Sequence, residues 1–198
     1  MKKILLVSAL VLVFALTLTA LVACDGFFSA LDDINKLIKL DYSTVTLNVT
    51  TETGEFTLNG VYTLTFDGDK TIVDYSFDRF NDLSIDGNNS DSYLTTVSGR
   101  AVVQNGKIVE GDVSVDLPQE LDFNGISFNQ AFFTNTNVTG AKFEADVKDV
   151  KGFTGNADMS CSNMHVTVLY SKDALSKITI TYLSEGGSNV SISYLFTK

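Results

Sequence analysis

His165 is the only histidine in the 198-residue chain, so general-base chemistry at neutral pH through an imidazole would fall to it alone. It stands in the segment NMHVTVLY, where Met164, Val166, Val168 and Tyr170 form one face of a period-two pattern. That pattern predicts a strand with His165 on the opposite, polar face beside Thr167. Acyl transfer needs an imidazole held between an acid and a nucleophile. The sequence has no G-x-S-x-G segment to present a serine on a strand-to-helix elbow. Cys161 precedes His165 by four positions. On a helix the two would be neighbours, but on a strand they stand about 13 Å apart, too far for one ion with ligands at ~2 Å. The Val-Thr-Val context favours the strand, and Cys161 reads as a small buried thiol. Asp86, Asn88 and Ser90 have the spacing that opens a calcium loop, yet Asp91 stands where its glycine belongs and Val97 where its closing glutamate belongs. A solvated turn at 86–92 is the expectation, with a loose calcium contact as the alternative. Glu110, Asp112 and Asp116 share one strand face, and nothing around them signals the cleft that catalytic carboxylates require. The expectation is a non-enzymatic protein with no metal site and no cofactor.

The other cysteine differs in setting. Lys2 and Lys3 precede an uncharged apolar run, residues 4–22, and LVAC closes it. A membrane-spanning helix would need about 20 such residues, and a secretory signal has the same charge order with small residues at its end. Leu21, Val22 and Ala23 before Cys24 make this segment resemble the lipobox of bacterial lipoproteins, a likeness confined to residues 1–24. The resemblance implies a diacylglycerol on the Cys24 sulfur and cleavage that makes Cys24 the new N-terminus. It divides the chain into a signal peptide (1–23), the lipidated cysteine with a short tether (24–28), and one domain (29–198). The partner implied is the membrane, reached through the Cys24 lipid, and the location is the extracytoplasmic face of a bacterial membrane. Each buried CH₂ contributes about 0.8 kcal/mol, so two acyl chains hold far more firmly than one. A Cys24 committed to a thioether cannot pair with Cys161, which excludes a disulfide framework.

The charge balance is acidic, 24 Asp and Glu against 14 Lys and Arg, net −10. Such a surface repels phosphates, so no nucleic-acid partner is expected. Hydrophobic residues make up 44% of the chain, enough for a packed core, and a single Pro with many Thr, Ser, Asn and Gly suits strands and turns.

The elements that must position these residues read clearly. SALDDINKLIKLDYS (29–43) predicts a helix capped by Ser29, with Leu31, Ile34 and Ile38 on one stripe and Leu37 beside it. From Tyr42 the period changes to two, and nine or ten strands follow, turning at DGDK, QNGK, SKDALS and SEGGS. Residues 121–136 fit neither period and are expected to form a short helix or loop over an edge, held by Phe128, Phe132 and Phe133. Gly60, Gly99 and Gly140 open similar strand segments and suggest either repeated bends or coincidence. One-sided alternation implies an antiparallel sheet with one wet face, and so many strands should curl.

The predicted fold is therefore mainly β: one N-terminal α-helix packed on a large curled antiparallel sheet, half-barrel or sandwich-like. In element order this resembles lipid-carrier lipoproteins of the LolA and LppX type. Phe56, Tyr62, Phe66, Tyr182, Tyr194 and Phe196 are the expected inner-face aromatics. They form either a packed core or the lining of a site for a hydrophobic ligand. The functional expectation is an anchored binding or structural β-domain acting on an envelope component. The alternative is a carrier of lipid or another hydrophobic ligand in a concave sheet.

Overall fold

The computed structural model describes residues 26–54, 56–85, 89–105, 107–111 and 123–198. Helix α1 covers 26–37. Ten strands follow: β1 (Thr44–Thr53), β2 (Phe56–Asp67), β3 (Lys70–Ile85), β4 (Asn89–Gln104), β5 (Lys107–Gly111), β6 (Phe133–Thr139), β7 (Lys142–Val147), β8 (Cys161–Tyr170), β9 (Leu175–Ser184) and β10 (Asn189–Thr197). A one-turn helix α2 (Val150–Thr154) sits between β7 and β8. The strands form a single open sheet in the order β5-β4-β3-β2-β1-β10-β9-β8-β7-β6. Two five-strand meanders, β1–β5 and β6–β10, are thus joined by the antiparallel pairing of β1 with β10.

Alternation decides which face is buried. In β1, Val45 and Leu47 are fully buried, whereas Thr44, Thr46 and Asn48 face the other way. The same parity continues through Leu64, Val73 and Ala101 in one meander and through Tyr194, Ile178, Val168 and Phe143 in the other. The apolar face is covered by α1 and by residues 123–132. Ile34 of α1 is fully buried, with Leu31, Leu37 and Ile38 beside it. Tyr42 ties the end of the helix to the sheet: its hydroxyl donates to the Leu37 carbonyl (2.9 Å) and accepts from the Leu175 N–H (3.0 Å). Burial raises the Tyr42 pKa, and the Leu175 hydrogen bond offsets part of that shift.

The helix starts earlier than its sequence pattern suggests. Ser29 lies inside the first turns rather than at the cap, because Phe27 packs its ring on Phe143, with centroids 6.2 Å apart, and draws 26–28 into the helix. Residues 123–132 hold two short 3₁₀ turns and run across the apolar face, from Phe123 on Tyr194 and Phe196 of β10 to Phe128 and Phe132 on Phe133 of the edge strand β6. Asn35 of α1 clamps this segment at both backbone polar groups of Phe128: it donates to the carbonyl (2.6 Å) and accepts from the N–H (3.1 Å). Phe128 and Phe133 are buried there as expected, and Phe132 is half-buried.

The glycine echo separates into two kinds. Gly140 is a turn residue with φ +59°, in the β6–β7 hairpin. Gly60 and Gly99 sit within strands beneath tyrosine rings. A Cβ at Gly60 would come within 2.9 Å of the Tyr62 ring, and one at Gly99 within 2.5 Å of the Tyr75 hydroxyl. The missing side chains let these rings lie down on the sheet, where Tyr62 stacks on Phe77 (centroids 6.1 Å apart) and Tyr75 meets it at a tilt (5.9 Å).

Candidate functional site

The wet face of the sheet carries long rows of mostly polar side chains. One row runs Thr96, Asp78, Asn59, Thr50, Ser191, Thr181, His165, Asp146. A second runs Ser98, Ser76, Val61, Asn48, Ser193, Thr179, Thr167, Glu144, Asn137, with Val61 its only apolar member. Neighbouring strands are about 4.8 Å apart, so each row is a ladder of hydroxyls, amides and carboxylates at that spacing. Many groups on this face already bond to each other. Ser98 donates to Ser76 (2.9 Å), Arg100 makes a two-pronged pair with Asp74 (2.6 and 2.9 Å), and Asp78 accepts from the Asn59 N–H (3.0 Å) and the Thr96 hydroxyl (3.1 Å). Hydrogen bonding to Arg100 holds the Asp74 carboxyl below its usual range, and the Asn59 and Thr96 donors do the same for Asp78.

The densest chemistry lies at one end of the first row. Asp146 and His165 are direct cross-strand partners, and His165 Nδ1 lies 2.9 Å from Asp146 Oδ1. Asn135 Nδ2 donates to the other carboxylate oxygen at 2.7 Å. These bonds, the Asn135 bond first and the His165 bond second, lower the Asp146 pKa. Beside it, Lys142 pairs with Glu144 and lowers that carboxyl as well. The strands reach this arrangement through two bulges. In β6, register slips between Thr134 and Asn137, and Asn135 takes φ 50°. In β8 it slips between Ser162 and His165, and Asn163 takes φ 55°. Asparagine tolerates the left-handed region better than most residues, and bulges re-aim side chains.

The β8 bulge settles the relation of Cys161 to His165. The extra residue turns Cys161 onto the core side, half-buried, while His165 faces the wet side. Burial raises the Cys161 thiol pKa, which leaves it a poor nucleophile. Among the described residues no group of three or more His, Cys, Asp or Glu is placed to hold a metal ion. An acid-held imidazole is the base half of an acyl-transfer site; here it lies on an open sheet face with Thr181 as its cross-strand neighbour. The arrangement is suited to hydrogen bonding with a partner, through a ring whose orientation Asp146 fixes.

The aromatics expected on the inner face share the core parity but not the same surroundings. Tyr62, Tyr194 and Phe196 are buried, and Tyr182 is half-buried. Phe56 and Phe66, at the two ends of β2, are 41% and 38% exposed. Tyr194 forms part of a cleft of about 320 Å³, floored by Ile180 and Ile192 and walled by Ile126 and Met159, with Thr154 and Asn156 also in its lining. Leu21, Val22, Ala23 and Cys24 lie outside the described residues, as do Asp86, Asn88, Asp112 and Asp116. Ser90 falls within β4, its backbone paired with Ser84. Sequence reasoning did not find Asn135, Asp146 or Asn163. The one available signal was the asparagines in TNTN and SNMH, since the β7–β8 register that joins Asp146 to His165 is not written in either strand alone.

No protein-family model matches the chain, and a search of curated proteins found no match.

Proposed function

We propose that the protein is a lipoprotein of the extracytoplasmic membrane face, a non-enzymatic β-domain that binds or braces an envelope component through its polar sheet face. The observation that carries the reading is the sequence of the leader: LVAC ends an uncharged apolar run behind Lys2 and Lys3. The polar rows support the binding role, because they offer many hydrogen-bonding groups on a rigid, solvent-facing surface. Among the described residues, which do not include the apolar run 4–22, no helix is long and apolar enough to cross a membrane. On this reading attachment rests with the lipid on Cys24. The test is mass spectrometry of the N-terminal peptide after expression in a lipoprotein-processing host. The expected product begins at Cys24 and carries acyl groups, and Cys24→Ser gives an unlipidated precursor. A mature chain that keeps Met1 without acyl groups overturns the reading.

The cleft beside Tyr194 favours a second reading, carriage of a small hydrophobic ligand. Its volume is at the low end for ligand sites. Native extraction followed by lipid mass spectrometry checks it: co-purifying lipid supports carriage, and a ligand-free protein removes it.

A further inference from the structure

Phe27 and Phe28 open helix α1 and take opposite roles. Phe27 is half-buried and stacks on Phe143 (centroids 6.2 Å). Phe28, its ring 5.7 Å from Phe27, is 46% exposed. We infer that Phe28 is a membrane-contacting side chain that seats in the headgroup layer of the bilayer and fixes the domain's orientation there. The inference rests on the anchor reading above, together with the length of chain that separates anchor from fold. Two residue steps from Cys24 to Gly26 span at most about 7 Å, and two helical steps from Gly26 to Phe28 add about 3 Å. The polar zone of a leaflet is about 5–8 Å deep. An acylated Cys24 at the glycerol level therefore keeps the Phe28 backbone within about 10 Å of that level, close enough for its ring to reach the polar zone, where aromatic rings are favoured.

Phe27 makes the contact directional. With that ring packed on β7, the first turn of α1 is held to the sheet, so Phe28 presents itself from a fixed side of the fold. Lys148, exposed, lines the same surface cleft as Gly26 and Phe27 and brings a cation to this end of the molecule. Asp32 and Asp33 are exposed further along the helix and limit how deep it can enter.

The chain contains no tryptophan, so Phe28→Trp installs a single fluorescent reporter at an exposed position that tolerates the larger ring. The variant, expressed from the full chain and processed, is reconstituted in phosphatidylcholine–phosphatidylglycerol vesicles, with and without lipids brominated near the glycerol. The expected result is blue-shifted emission and about a two-fold loss of intensity with brominated lipid, as for an interfacial aromatic. A Val109→Trp control on β5, at the far edge of the sheet, is expected to be unaffected. Peptide mass spectrometry on the same samples reports the Cys24 lipid separately. Lipid on Cys24 with emission that brominated lipid leaves unchanged overturns the Phe28 contact while the anchor stands. Absence of lipid on Cys24 overturns both.

Discussion

The two five-strand meanders bury the same face of one sheet by different means. In the β6–β10 half the face is capped by phenylalanines from both strand and cover: Phe128, Phe133, Phe143 and Phe153 meet mostly edge to face, with centroids 5.5–6.0 Å apart. Phe143 and Phe153 are fully buried. In the β1–β5 half, the Tyr62 and Tyr75 rings lie over Gly60 and Gly99 beside Phe77, and Phe77, Val97, Val103 and Ile108 are only partly covered. Among the described residues, the aromatic cover thus comes from a second layer in one half and partly from side chains folded down onto glycine gaps in the other.

This contrast breaks most directly at Phe143. Phe143→Ala is expected to cost about 3–5 kcal/mol, the range for a fully buried aromatic, whereas Phe77→Ala, half-buried, should cost clearly less. Urea unfolding of both variants decides it, and equal losses would abolish the distinction between the halves. Next in size is the glycine gap. Gly99→Ala puts a methyl group against the Tyr75 ring, with an expected cost of about 1–3 kcal/mol from overpacking. In the Tyr75→Ala background the same change should cost little, so a double-mutant cycle with no coupling would show that the ring does not rest on the gap.

The smallest expected effect is on the wet face. The Asp146, Glu144, Asp74 and Asp78 carboxyls all have lowered pKa values in the fold. Each therefore contributes stability above the ordinary carboxylate range, and that contribution is lost as pH falls through the lowered values. Asp146→Asn should destabilise slightly at pH 7, and the gap to the unmodified protein should close on acidification through about pH 4 and below. A gap independent of pH would mean that the Asp146 charge has no part in the Asn135–His165 arrangement.

The alternation of Val45, Leu47 and Val49, or of Phe143, Ala145 and Val147, was legible because a strand with one wet face writes its orientation into every second residue. The helix start was misplaced because Ser29 has the chemistry of a cap, whereas the true boundary depends on Phe27 reaching a ring more than 100 positions away. The Asn135–Asp146–His165 arrangement was invisible for a related reason. It needs a cross-strand register and two bulges, and each depends on pairing between segments rather than on the pattern within one. The polar rows were half visible: each strand announced a Thr- and Ser-rich side, but their alignment into continuous ladders is a property of the assembled sheet.

The join between the halves has a kinetic consequence. Ser43, just before β1, hydrogen-bonds Thr197 across 154 positions, so the centre of the sheet is assembled from the most distant parts of the folded region. Hairpins on either side can form early from local contacts, but the seam waits for the last strand. A chain emerging from its N-terminus would hold two unfinished half-sheets, each with an open edge, until β10 arrives to zip them together.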